Sequence, residues 1–151
     1  MAGVTPKARN HEQLGPTASR FVDVGGLPWE ETRFPGISTK TLFFDKATGS
    51  VTALIRMAPG AGLPDHEHPL TEQSYVLEGA LVDDDGRCEA GDFVWRPGGS
   101  RHKAWSPEGC LVLGVFQVPN KFFEQGGKVT DVLGQDWDAT WSEAGNLKAA
   151  G

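Results

Sequence analysis

Between Phe34 and Phe123 the chain is built from short apolar and β-branched runs separated by glycine-, proline- and aspartate-rich breaks. Runs of that length and texture predict strands joined by turns. TKTLFFD (Thr39–Asp45) and SVTALIRM (Ser50–Met57), joined by KATG, read as a hairpin. EQSYVLEGALV continues through Gly79 to DDDGR, where Asp85-Gly86 marks a second tight turn. GDFVWRPGGSRHKAW and CLVLGVFQV supply further strands, with Pro97 ending the strand it follows. About eight strands result, and the fold class expected is an all-β barrel or sandwich. Period-two alternation from Glu72 places Ser74 and Val76 on its face and turns Gln73 and Tyr75 away.

The ends differ in texture. Residues 1–20 mix charge, Gly, Pro and Ser without periodicity and read as a flexible or loosely docked arm, with His11 a solvated histidine. Residues 21–123 form the expected barrel, and 124–151 a C-terminal extension that packs on the barrel or on a dimer partner. In that extension Gly126-Gly127 marks a turn, and Trp137 and Trp141 stand at i,i+4 spacing, placed to cap the barrel or meet a second subunit.

A length of 151 residues fits one domain with its own core. The net charge of −6, with no Lys/Arg cluster, argues against nucleic acid and against acidic membranes as partners. The first residues lack the apolar core of a signal peptide, and no run approaches a membrane span, so a cytoplasmic location is expected. Cys88 and Cys110, without C-x-x-C spacing, read as buried or idle thiols rather than metal ligands or a disulfide. The triple aspartate Asp83-Asp84-Asp85 lacks the spread of oxygen ligands a calcium loop needs and reads as a hairpin tip.

The chemistry concentrates in HEHPLTE. On an extended backbone His66 and His68 project to one side. Glu72 returns to that face if the intervening PLT makes a short bend, and His102 is brought alongside by strand pairing. A histidine pair of this kind serves a metal site, a hydrogen-bond cluster or a solvated loop, and the pair alone does not decide.

The full spacing carries more information. Gly60, five residues, His66-x-His68, three residues, Glu72, six residues, Gly79 matches the first motif of the cupin superfamily, and Gly91, five residues, Pro97-x-Gly99, two residues, His102 matches the second. The glycines read as turn-makers and Pro97 as the stiffener of the bend that presents His102. Ser106 departs from the pattern, which often has Asn there. From Phe34 to Phe123 the wording further resembles the ChrR-type cupins. This resemblance implies a single-domain cupin, a double-stranded β-helix or jelly-roll barrel. It also implies a metal held by His66, His68, Glu72 and His102, and a small-molecule ligand or substrate. Relatives of this type include zinc-binding sensor domains of anti-sigma factors and stand-alone dioxygenases that cleave diketones or hydroxyketones. In the acetylacetone-cleaving enzymes three histidines hold the metal without a glutamate, so Glu72 is a departure from them.

Three imidazoles and a carboxylate suit one divalent transition metal per chain, with Fe(II) favoured and Zn, Mn or Ni able to take its place. An octahedral ion on four such ligands keeps two positions open for a chelating substrate, whereas tetrahedral zinc would be closed. The function expected is an Fe(II)-type dioxygenase acting on a small enolisable or hydroxylated carbonyl compound. The alternative is a zinc-binding, ChrR-like sensor without catalysis. Arg56, Gln73, Tyr75, Arg96, Arg101 and Trp105 lie on or beside the ligand-bearing strands and are pocket candidates, although such residues more often sit on a sheet surface. Pairing through an edge strand would make the protein a homodimer.

Overall fold

The computed structural model describes residues 3–150, with side chains described through Ala144. In chain order the strands are β1 (Gly3–Val4), β2 (Glu30–Glu31), β3 (Ile37–Asp45), β4 (Ser50–Met57), β5 (Gly62–Glu67) and β6 (Glu72–Asp83). They continue with β7 (Gly86–Glu89), β8 (Phe93–Arg96), β9 (Arg101–Trp105), β10 (Cys110–Phe116), β11 (Lys121–Phe123) and β12 (Val129–Thr130), and one α-helix follows, α1 (Trp137–Ala150). β1, β2, β11 and β12 are only two or three residues long. Runs that short carry no readable alternation, and the remaining strands number eight, against about eight expected from the pattern.

All pairings are antiparallel, in the order β1-β3-β4-β10-β6-β9-β5-β11-β12, with β2 added on β3 and β7 and β8 on β6. β6 joins the two halves of this jelly roll. Its first part, Glu72 to Gly79, pairs with β10, and its second, Ala80 to Asp83, pairs with β7. The bend between them falls at Gly79, where φ is 69° and a Cβ would stand 1.9 Å from the Gly109 carbonyl oxygen. Only glycine fits a backbone approach that close.

The hairpins form as the turn chemistry predicts. Asp45 Oδ1 accepts from the Ala47 and Thr48 amides at the β3–β4 turn, and Asp83 Oδ1 accepts from Asp85 and Gly86 at the β6–β7 turn. The triple aspartate is therefore a hairpin tip. Alternation holds along β6: Glu72, Ser74 and Val76 are buried, whereas Gln73 and Tyr75 are exposed. Ile37, Met57, Val76, Leu81 and Val112 form the main core with the buried free thiols Cys88 and Cys110. Ser106, fully buried, donates its hydroxyl to the Ala80 carbonyl at 2.6 Å and so ties the β9–β10 connection to β6.

Near the N-terminus β1 extends the sheet beside β3, and the Thr5 hydroxyl donates to the Leu42 carbonyl. His11 Nε2 lies 2.9 Å from the Phe21 carbonyl oxygen. At the other end α1 is an element that the sequence pattern does not foretell, since Asp138, Thr140, Ser142 and Gly145 are weak helix formers. Asp136 caps it, its Oδ1 accepting from the Ala139 amide. Trp137 and Trp141 are buried with Val118 against Phe44, Leu70 and Val129 of the same chain. Their indole N–H groups donate to the Pro119 carbonyl and to Asp131 Oδ2, both at 2.8 Å. Among the described residues no helix is long and apolar enough to cross a membrane.

Candidate metal centre

β5 runs between β9 and β11, and its register sets His66 directly opposite His102 on one side and Phe122 on the other. Between Leu63 and His66 the pairing with β9 shifts, and Pro64 occupies the irregularity. A proline has no amide to give the ladder and is tolerated at such a bulge. Its carbonyl oxygen lies 2.8 Å from His66 Nδ1. His68 follows the end of β5 and is clasped by the glycine turn after Pro97, its amide donating to Ser100 O and its carbonyl accepting from Gly99 N. His66 and His68 are 2% and 1% exposed, so neither is a solvated loop residue. The three imidazole centroids stand 4.7 to 4.9 Å apart, and one ligating atom from each lies within 4.8 Å of the others.

The protons on these rings are placed by their neighbours. The Pro64 carbonyl only accepts, so His66 carries its proton on Nδ1. His68 Nδ1 lies 2.7 Å from Glu72 Oε2 and 2.9 Å from Asn120 Oδ1, and His102 Nδ1 lies 3.2 Å from Asp83 Oδ2. Each ring therefore keeps its Nε2 lone pair free, and His68 Nε2 and His102 Nε2 face each other at 2.8 Å. Two lone pairs so placed repel unless a proton or a metal ion lies between them. Nitrogens bound at right angles to one ion at roughly 2.1 Å stand about 3.0 Å apart, which is close to the separation here. The donor set thus fits a divalent transition metal.

Glu72 lies behind this convergence. Its Oε2 faces His68, and its Oε1 accepts from the Ser74 hydroxyl at 2.9 Å and stands 3.8 Å from an Arg96 nitrogen. Burial pushes the carboxyl upward, but the hydrogen bond from His68, with Arg96 and Ser74, outweighs it and holds Glu72 at about 2. His66 is lowered to about 4 by burial, aided by the neighbouring His68 and His102. His102 is also lowered, by burial first and then by Arg96 and His68. The lowered His66 and His102 beside an ionised Glu72 are in the protonation states a metal needs.

Of the other sequence candidates, Arg96 belongs to the site. It is 7% exposed, donates to Asp83 Oδ2 at 2.9 Å and bridges that carboxylate to Glu72. Its Nε is buried without a partner. Gln73 and Tyr75 face outward, Arg56 stacks on Trp29 at 3.8 Å, Arg101 pairs with Asp65 at the surface, and Trp105 pairs with Gly62 at the far end of β9. Sequence reasoning passes over Asp83, Asn120 and Phe122. Asp83 reads as turn chemistry alone, yet its second oxygen serves His102. Asn120 and Phe122 lie in a stretch without a motif and reach the site only because β11 pairs with β5; the Phe122 ring centroid is 5.2 Å from that of His66. A chamber of about 40 Å³ lies against His66, His102, Glu72 and Arg96, walled by Leu63, Val112 and Phe116.

The comparisons with known proteins agree with this architecture. A candidate acetylacetone dioxygenase from Methylibium petroleiphilum PM1 superposes with a TM-score of 0.70 at 20% identity, covering 85% of this chain and 98% of its own. An acetylacetone dioxygenase from Acinetobacter johnsonii gives 0.68 at 22% identity, covering 91% and 95%. The anti-sigma factor ChrR from Rhodobacter sphaeroides, solved in complex with SigE, gives 0.53 at 23% identity, covering 62% of this chain and 50% of that one. At these identities the likeness is one of fold. No curated protein sequence matches. The model of the ChrR cupin-like domain matches residues 17–119, most of the chain, and the protein therefore belongs to the ChrR cupin-like family.

Proposed function

We propose that this protein is a metal-dependent dioxygenase acting on a small enolisable or hydroxylated carbonyl compound, with His66, His68 and His102 holding one divalent transition metal, Fe(II) above the others. The observation that carries the reading is the clustering of one ligating nitrogen from each of three imidazoles within 4.8 Å of the others, with every Nδ1 turned toward an oxygen. An ion there supplies Lewis acidity and open coordination positions, and iron adds redox chemistry with oxygen. The chain's own groups do the rest. Pro64, Glu72, Asn120 and Asp83 fix the imidazoles in the liganding tautomer. Arg96 bridges the Glu72 and Asp83 carboxylates and, after the hydrogen bonds from His68 and the Asp85 amide, helps to keep both ionised. The apolar wall of Leu63, Val112 and Phe116 lowers the polarity on one side of the chamber, which strengthens the charge interactions beside it. Glu72, expected as a fourth ligand from the motif, acts in this proposal through His68.

The similarity to two structures named for acetylacetone dioxygenase activity supports the carbonyl substrate class. The test is metal content after growth with limiting iron, manganese, nickel or zinc, followed by oxygen uptake with a panel of diketones and hydroxyketones. Retained iron with metal-dependent oxygen uptake is the expected result. Family membership and the ChrR–SigE structure support a second reading, a zinc-binding sensor without catalysis. Stoichiometric zinc under every growth condition, with no oxygen uptake, would bring that reading forward and set the first aside.

A further inference from the structure

Beside the histidine chamber lies a second cavity of about 160 Å³. Ile55, Leu63, Phe116 and Asn120 line both, so the two spaces adjoin through a shared wall. Inward-facing residues of β3 and β4 make one side, and Phe34, Phe122 and Val132 make the other. No charged side chain lines it. Its polar groups are three threonines and the Asn120 amide, and of these Thr32 already donates to the Ile37 carbonyl and Asn120 Oδ1 already serves His68. The far wall is fixed in place. Arg33 lies over the Phe34 and Phe122 rings and donates to the carbonyls of Asp131 and Val132 and to Thr130.

We propose that this cavity is a subsite for an uncharged, apolar group of about benzene size, carried by a substrate whose oxygen-bearing end meets the histidines. The second half of that statement rests on the metal-dependent reading above; the first does not. The size follows from the volume, since a cavity of roughly 150 Å³ lined by aliphatic and aromatic side chains stays dry and accepts benzene. The charge selection follows from the lining: a carboxylate or ammonium placed there would give up much of its water with no charged side chain of the lining to pair it. The orientation follows from the rings. Phe34 and Phe122 have centroids 4.8 Å apart, and Phe122 in turn lies 5.2 Å from His66, so an aromatic arm entering here meets a run of rings leading to the imidazoles.

The experiment begins with the metal-free wild-type protein, titrated with benzene and, separately, with benzoate, while the methyl resonances of Ile55, Leu63 and Val132 are followed by NMR. Benzene is expected to shift those methyls, and benzoate to bind at least about tenfold more weakly. Ala53 lines the cavity and is 5% exposed, so Ala53→Leu should fill the space and abolish the benzene shifts while the fold is retained. Should that variant not fold, the wild-type titration alone still decides. Absent benzene shifts, or equal binding of benzoate, would overturn the subsite. In the metal-loaded protein 1-phenylbutane-1,3-dione should bind at least about tenfold more tightly than pentane-2,4-dione. Equal affinities would overturn the link between the cavity and the histidines. Failure to take up any metal would defeat the functional reading and leave the benzene result standing.

Discussion

His68 Nε2 and His102 Nε2 face each other at 2.8 Å, while the other nitrogen of each ring faces an oxygen. A shared cation resolves that arrangement, and losing either ring removes the convergence. His102→Ala should therefore lower bound metal from about one ion per chain to below about a tenth. Elemental analysis reads the metal, and far-UV circular dichroism checks that the barrel remains.

Asp83→Asn separates turn chemistry from ring orientation. The substituted amide keeps an oxygen for the Asp85 and Gly86 amides, but the carboxylate facing His102 Nδ1 and Arg96 is lost. Metal affinity should fall about 10- to 100-fold, the range for loss of a group that orients a ligating histidine. Competition with a chelating dye measures it, and unchanged affinity would remove Asp83 from the site.

Glu72→Gln and Glu72→Leu distinguish a carboxylate that orients from one that ligates. The Gln side chain still offers an oxygen to His68 Nδ1, whereas Leu offers none. If Glu72 acts through His68, metal stoichiometry should survive in Glu72→Gln with at most about a tenfold loss of affinity and fall much further in Glu72→Leu. Equal loss in both variants would make Glu72 a ligand in its own right.

Acid should unfold the metal-free protein earlier than its carboxylates alone require. His66 is held at about 4 in the fold against an ordinary 6.5, so the unfolded chain binds more protons throughout that interval. Stability therefore falls as pH drops from about 6.5 to about 4, by on the order of 3 kcal/mol from this residue. His102, shifted the same way, adds to the loss. Glu72, held at about 2, adds a further loss below its ordinary 4.5. Urea denaturation across this pH range measures the slope, and His66→Gln should flatten its upper part.

The sequence made the barrel legible wherever long strands alternate, as in β6, where Glu72, Ser74 and Val76 turn inward and Tyr75 outward. It also made the histidines legible, because one on a strand, one just past that strand's end and one on the neighbouring strand are a matter of local spacing and antiparallel pairing. The partners that orient them were hidden for a different reason. Asn120 comes to His68 from 52 residues away along the chain, and no local pattern encodes such a contact. Asp83 was concealed by its own turn, which accounts fully for one oxygen and says nothing of the other. The short strands and α1 escaped notice because their stability comes from packing, as with Trp137 and Trp141 against Val118, rather than from periodicity or propensity.

The bend of β6 at Gly79 has a consequence for how this site tolerates change. Glu72 stands ahead of that bend and Asp83 beyond it, so one unbroken strand delivers a carboxylate to His68 and another to His102. The strand works as a ruler whose two marks must be read together. A residue inserted or deleted between them would reverse the facing of one half and leave the other in place. The distance from Glu72 to Asp83 is locked to the spacing of the imidazoles it serves.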